Sequence, residues 1–519
     1  MGKDTLFSTF TGTRNKTLRY FLIILSFCFS GFAQAQMYRV FLNDKGIQTD
    51  ADDSEMPVPE TYMQTIRQYC DSVWMSSAWL NYVLISTAND PDELLKYSFV
   101  DRIEKLSPWQ PVSMQVEENM DEKDTADPAA IHRHREWQLD TLNYTYFQTH
   151  QITGKGIVVA IIDAGFTEAN ESRAFANIFS TGRVLKTYDF LDNDTNVYHG
   201  STHGTSVWSC VAGNLDKQPT GMATGASFIL LRSEDQVTET MADEDRWIQA
   251  IEKAYEWGAD IVTSSVGFTN ALHSRDQVNG QSLISKAADM AASKGMLVVI
   301  SAGNEWLTLW KTLSIPADAE GVITVGGIDR EGNHSYFSSV GPTADGRSKP
   351  DVVAPGTCVV VKGNELSMAN GTSFAAPLVA GYLACMLEWK GKNNFPKDSI
   401  KYYAGLYPYY DYLYGYGVPG VTARDSGRGG LYGFDKSTHT FYLAATDHSP
   451  YTRTYENLWV KIVGADGMIK CSKYFKSVPG GKLKITTTHV KNPFNYSKYF
   501  DPQDTDRWCI WWNGQYYEF

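Results

Sequence analysis

The sequence predicts a parallel α/β sheet with helices on both faces, preceded by a ferredoxin-like α+β unit and followed by a small all-β domain. Three observations carry this prediction. Unbroken apolar runs alternate with amphipathic helical patterns from about residue 131 to 423. A β-α-β-β-α-β order of signals precedes them. Short strand signals separated by Gly, Asp and Pro follow after about Gly430.

In the first unit, Tyr38–Leu42 reads as a strand and Thr61–Tyr69 as a helix. Val73–Ser86 is rich in β-formers, with a break near Ser76 and Ser77. Pro91–Tyr97 reads as a short helix opened by the capping types Asn89 and Asp90, and Val100–Leu106 as a last strand. This is the order of the ferredoxin-like split unit. In the central region, Ile157–Ile162, Phe228–Leu231, Ile261–Ser264, Met296–Ile300 and Val322–Val325 are strand candidates. Trp247, Ile248, Ile251 and Tyr255 recur at helical spacing, as do Leu283, Ile284, Ala287 and Met290. Continuous apolar strands between helices imply a parallel sheet buried on both faces. Such sheets bind ligands at the carboxyl ends of their strands. In the tail, Thr440–Ala445, Leu458–Val463, Lys482–Thr487 and Trp508–Trp512 read as strands.

The ends and charges narrow the function. Arg14, Lys16 and Arg19 lead into the apolar run Tyr20–Phe32, and Ala33-Gln34-Ala35 has the small-x-small form of a cleavage site. Residues 1–35 therefore read as a signal peptide, and the protein is expected to be extracellular, periplasmic or on the cell surface. A net charge of −13 argues against a nucleic-acid partner, because a phosphate polymer is repelled on average. The acidic stretch Glu117–Asp127, closed by Pro128, reads as an exposed linker open to proteolytic nicking. Cys471 and Cys509 are a pair that could form a disulfide, whereas Cys210 and Cys385 fall in apolar helical patterns and read as buried thiols. No CxxC pair occurs, so no structural zinc site is expected.

Three polar islands carry the chemistry. Asp163 follows the run Ile157–Ile162; alone, it also reads as a strand-end Asp capping a turn. His203-Gly204-Thr205-Ser206 opens an apolar helix, with Gly204 allowing close approach; alone, this is also a solvent-facing or capping His. His199 and His203 have the spacing of two zincin ligands, but Gly200 stands where that pattern needs Glu, so no metal is assigned. Asn370-Gly371-Thr372-Ser373 precedes an apolar helix, and Pro377 places the helix start near Ser373. There the free N–H groups favour a developing negative charge, although Ser373 alone also reads as an N-cap. Together the three islands fall where an α/β sheet places its site, in the order Asp, His, Ser. That is one of the chain orders in which a single triad geometry occurs.

At these residues the chain resembles the subtilase family. Ile161-Ile162-Asp163-Ala164-Gly165, His203-Gly204-Thr205-Ser206-Val207 and Gly371-Thr372-Ser373-Phe374-Ala375-Ala376-Pro377 are similar to its Asp, His and Ser signatures. Ser301-Ala302-Gly303-Asn304 resembles its oxyanion segment, and Ser265-Val266-Gly267 the segment lining its substrate cleft. Asp351 to Gly356 and Gly415-Tyr416-Gly417 match the run before the Ser motif and the closing segment. The resemblance spans about residues 137–420. Before it, Ser77-Ala78-Trp79-Leu80-Asn81-Tyr82-Val83-Leu84 looks like the propeptides of secreted members from Bacteroidetes.

The resemblance implies a subtilisin-like fold and a secreted serine endopeptidase, made as a self-processing zymogen. Asp163, His203 and Ser373 would form the triad and Asn304 the oxyanion donor. Ser265, Val266 and Gly267 would bind substrate as an added strand. The implied domains are a signal peptide (1–35), a propeptide (36–116), a linker with the maturation site (117–136), the peptidase (137–423) and a C-terminal β domain (430–519). The implied partners are protein or peptide substrates and the chain's own propeptide as intramolecular inhibitor. No cofactor is required; calcium is admitted by the resemblance, but the family's calcium loops do not map onto these residues. Two other readings stay open: a binding module on the same scaffold, and a carbohydrate-binding tail presenting Trp508, Trp511, Trp512, Tyr516 and Tyr517.

Overall fold

The computed structural model describes residues 35–45, 55–106, 127–235, 240–269, 272–405, 407, 410, 412–420 and the strands between 431 and 518. The segment up to Gln34, read above as a signal peptide, and the acidic stretch up to Ala126 lie outside the described residues. The chain divides into two compact units, Met1–Ser76 with Asn81–Pro108, and Ser77–Leu80 with Trp109–Phe519.

The first unit holds β1 (Gln36–Leu42), α1 (Glu60–Arg67), β2 (Ser72–Ser77), β3 (Tyr82–Thr87) and β4 (Val100–Lys105). Its sheet order is β2-β3-β1-β4, that of the ferredoxin-like split unit. Two details differ from the sequence reading. The second helix is a 3₁₀ turn, Pro91–Lys96, with the Asp90 carboxylate accepting from Asp92 N at 3.1 Å. β2 also runs on through Ser77, so the break comes later than expected. One face of α1, through Met63 and Ile66, packs with Val40, Leu42, Val83 and Ile85 into a small core.

The second unit is built on seven parallel strands in the order β11-β10-β9-β8-β5-β7-β6. They are β5 (Val158–Asp163), β6 (Val184–Asp189), β7 (Ser227–Arg232), β8 (Ile261–Ser264), β9 (Leu297–Ser301), β10 (Ile323–Ile328) and β11 (Val352–Pro355). The unbroken apolar runs have a direct cause. Successive strand residues face opposite sides, and both sides here are covered. Val159, Ile161, Phe228, Leu230 and Val299 enter one core, while Ala160, Ile162, Ile229, Leu231 and Val298 enter the other. The chain leaves β5 toward one side of the sheet and reaches β8 on its other side, so the general rule for such sheets places a ligand beyond these strands' carboxyl ends, where Asp163 sits.

Helices α3 (His203–Ala212), α4 (Met241–Glu256), α5 (Leu283–Ser293) and α6 (Thr372–Lys390) cover the sheet. Every residue of α6 from Thr372 to Leu387 is buried, which fits a helix apolar on all sides. β12 (Thr357–Lys362) and β13 (Glu365–Asn370) form an antiparallel hairpin that delivers the chain to α6. Cys210 and Cys385 are buried free thiols on α3 and α6.

Residues 128–136 of the expected linker are helical. α2 (Pro128–Asp140) starts with Asp127 as N-cap, its carboxylate accepting from Ala129 N at 2.9 Å, and with Pro128 in the first helical position. Asp-Pro is a helix start as much as a linker end. Gln138 is fully buried and bonds Thr220 O, Val359 O and Val359 N, so α2 belongs to the second unit.

The tail is antiparallel. β14 (Leu431–Asp435), β15 (Thr440–Ala444) and β18 (Leu483–Ile485) form one sheet. β16 (Tyr455–Val463), β17 (Ile469–Val478), β19 (Arg507–Trp512) and β20 (Gln515–Glu518) form another, in the order β17-β16-β19-β20. Cys471 pairs in register with Ile462, and Cys509 with Lys461, so the cysteines lie on opposite sides of β16. Two strand spacings, about 9.5 Å, exceed the roughly 7 Å between Cα atoms that a disulfide allows. Cys509 itself is buried.

One core histidine makes stability depend on pH. His334 is buried beside Trp306 and Tyr414, and burial pushes its pKa down to about 4. The unfolded chain titrates near pH 6.5. Between about pH 6.5 and 4, the unfolded state binds a proton that the folded state refuses, so stability falls as pH falls through this window. At pH 4.5 the loss is about 2 to 3 kcal/mol. Urea denaturation at pH 7 and pH 4.5 measures it. His334→Gln removes this part of the slope.

Candidate active site

β5 ends on Asp163, fully buried, whose Oδ1 accepts from Ala164 N at 2.8 Å and from His203 Nδ1 at 2.7 Å. His203 is the first residue of α3, and its backbone N–H donates to the Ser201 hydroxyl at 2.9 Å. Gly204 is what permits this approach. A Cβ there would lie 2.3 Å from Gly165 O and 3.0 Å from Asp163 Cβ. The structure thus brings together residues 40 positions apart in the chain.

Ser373 is the second residue of α6, one position past Thr372. It is not the N-cap; Gly371 occupies that position. Pro377, deeper in the helix than its first turn, has no N–H to give Ser373 O. The Ser265 hydroxyl donates to that carbonyl instead, at 2.8 Å. The Phe374 ring lies 5.9 Å from that of His203, so His203 meets the amino end of α6.

Asn304 follows β9. Its Oδ1 accepts from Thr372 N at 2.9 Å and from the Thr372 hydroxyl at 3.1 Å. That fixes the amide and leaves Nδ2 with no protein partner among the described residues. Gly371 marks the space beside Nδ2. A Cβ on Gly371 would lie 3.5 Å from Asn304 Nδ2 and 3.6 Å from Ser373 N. The Asn304 amide nitrogen and Ser373 N therefore border one small space, kept open because Gly371, at φ 149°, is in a conformation that L side chains rarely adopt. A pair of donors converging beside a hydroxyl can stabilise an oxyanion. The sequence reading assigned no role to Thr372 or Ser201; a Ser two residues before a helix-opening His was the signal for the second.

Ser265, Val266 and Gly267 continue β8 beyond its end. Gly267 is exposed, and among the described residues nothing hydrogen-bonds to its backbone. An extended peptide can pair with such an edge.

The subtilase family profile matches residues 154–417, just over half of the chain. The chain belongs to the subtilase family. Residues 39–123 match the Peptidase S8 propeptide domain of Bacteroidota. Among curated relatives, the subtilase is 31% identical over 274 residues to the thermophilic serine proteinase of Bacillus sp. (strain AK1), covering 49% of this chain and 61% of that protein. It is 29% identical over 268 residues to serine protease AprX of Bacillus subtilis (strain 168), covering 46% and 58%. The matches thus span about three-fifths of those relatives' own lengths. The solved structure of fervidolysin from Fervidobacterium pennivorans, a keratinolytic enzyme related to subtilisin, shares the fold at a TM-score of 0.53 and 19% identity, covering 93% of this chain and 71% of that one.

Subtilases commonly bind calcium. Among the described residues, Asp189, Asp192 and His199 bring ligand atoms within 4.8 Å of one another. The set does not fit calcium, which takes six to eight oxygen ligands. One of its three donors is an imidazole nitrogen. The Arg232 guanidinium already holds both carboxylates, at 2.7 Å from Asp189 Oδ2 and 3.4 Å from Asp192 Oδ2.

Proposed function

We propose that this subtilase is a secreted serine endopeptidase that cleaves peptide bonds through an acyl-enzyme, made as a zymogen that processes itself. Ser373 attacks the carbonyl carbon. His203 takes the hydroxyl proton and returns it to the leaving amine. Asp163 orients His203 and stabilises its charged form. Asn304 Nδ2 and Ser373 N hold the oxyanion, and Ser265, Val266 and Gly267 pair with the substrate backbone. The convergence of Nδ2 and Ser373 N on the space beside Gly371 is the observation that supports this best. The match of residues 39–123 to a propeptide domain supports the zymogen and an intramolecular inhibitor. Because α2 is part of the second unit, maturation would cut ahead of Asp127. The basic and apolar residues ahead of Gln36 support export.

The test is labelling of residues 36–519 with a fluorophosphonate while chain mass is followed. The unaltered chain labels and shortens by about 80 to 100 residues, and Ser373→Ala does neither. A folded, unaltered chain that fails to label after the N-terminal unit has been removed by an added protease would favour the binding-module reading. For the oxyanion role, Asn304→Ala lowers kcat by about 10²–10³ with KM nearly unchanged. Steady-state kinetics on a peptide anilide read the split. A loss confined to KM would place Asn304 in ground-state binding.

A further inference from the structure

We infer that Arg232 is a positioning residue that holds the Asp163 and His203 segments in register with each other. The inference rests on the triad reading above. Arg232, Asp163 and Asp189 end three adjacent strands, and they lie side by side in register at the carboxyl edge of the sheet. Arg232 is nearly buried and Asp189 wholly so. The guanidinium is used on two sides. Its Nε donates to Ala164 O at 3.1 Å, and an Nη donates to Asp189 Oδ2 at 2.7 Å.

The first bond acts on Asp163. Ala164 N–H donates to Asp163 Oδ1, the oxygen that also holds His203. Ala164 is therefore gripped at both ends, its N–H by the carboxylate and its C=O by Arg232. The second bond acts on the approach to His203. Asp189 Oδ2 also lies 3.3 Å from His199 Nε2. His199 begins the segment that pairs with β5's continuation at Gly165 through Gly200, and that caps His203 N–H through Ser201. One side chain thus ties the peptide after Asp163 to the carboxylate beside the segment before His203. The planar fork of Arg reaches both at once, whereas an ammonium is a single point that cannot span them.

Losing one tie lets the Asp163–His203 hydrogen bond wander without altering substrate contacts. Arg232→Lys keeps the buried charge opposite Asp189 and gives up the Ala164 bond. It lowers kcat by about 10- to 100-fold with KM unchanged, on the scale of a misplaced catalytic group. Arg232→Met combined with Asp189→Leu removes both buried charges together, so a folded comparison exists even if Arg232→Met alone unfolds. The double variant shows the same kcat loss. The deciding readout is a double-mutant cycle with Asp163→Asn. In the Asp163→Asn background, Arg232→Lys has no further effect on kcat, because nothing is left for it to position. Equal losses in both backgrounds, or a kcat unchanged in the folded Arg232→Lys enzyme, would overturn the inference. Asp163→Asn without effect on kcat would instead overturn the triad reading itself.

Discussion

Ser373→Ala lowers kcat by about 10⁶-fold, His203→Ala lowers it by the same factor, and the double variant loses no more. The scale is that of a subtilisin triad taken apart residue by residue. The equality follows from the geometry. Ser373 sits among buried residues at the amino end of α6, and its hydroxyl is nucleophilic only while a base removes the proton. His203 is fixed by Asp163 on one side of its ring and lies against Phe374, the neighbour of Ser373, on another. Each residue is useless without the other, so their losses do not add. A residual rate about 10³–10⁴ above water should survive, because Asn304 Nδ2 and the backbone N–H of residue 373 are untouched by either substitution. Under the proposed self-processing these variants would keep the N-terminal unit, so a trace of active enzyme removes it and is then inactivated by fluorophosphonate. Hydrolysis of a peptide anilide is then followed over hours. A loss of only 10- to 100-fold in Ser373→Ala would mean that another group is the nucleophile.

The legible parts of this chain are those where local pattern and buried environment agree. Ile157–Ile162 could be read as a central strand because β5 is covered on both faces and every position is apolar. β6 was not readable in the same way. Val184–Asp189 is the edge of the sheet, and Lys186 and Thr187 break its apolar run. β11 is four residues long, ends in proline and lies inside Asp351–Gly356, which reads as a family resemblance rather than as a strand. The hairpin β12–β13 is not legible, because the partner of the apolar run Cys358–Val361 is Glu365–Asn370, which is polar enough to pass for a loop. At the site, residue identities were legible and their support was not. Nothing in the spacing says that Thr372 fixes the Asn304 amide, that Ser265 satisfies the carbonyl freed by Pro377, or that Arg232 grips Ala164. Those contacts join segments that only the parallel sheet brings side by side.

Asp163→Asn lowers kcat by about 10⁴-fold and leaves KM within a few-fold. Asp163 is fully buried beneath His203 and is placed to touch His203 rather than the substrate, so ground-state binding has no reason to change. The chemical step does. Proton transfer from Ser373 leaves a positive imidazolium, and the carboxylate 2.7 Å from Nδ1 is the charge placed to stabilise it. Asparagine has nearly the same shape without that charge. The environment also dictates how it would sit. The oxygen facing His203 is the one that accepts from Ala164 N, so an amide oxygen is held there and the new NH₂ is forced into the place of Oδ2. Oδ2 is buried with no hydrogen-bond partner among the described residues, so the NH₂ would be an unsatisfied buried donor. If the amide flips to escape this, it presents NH₂ to Nδ1 and forces the proton onto the nitrogen needed as base. The first arrangement weakens general-base catalysis by loss of charge, and the second blocks it through the wrong tautomer. Steady-state kinetics on the processed variant, with thermal unfolding to show that it is folded, decide the matter. A raised KM at unchanged kcat would make Asp163 a structural strand-end residue, the reading its position alone allows.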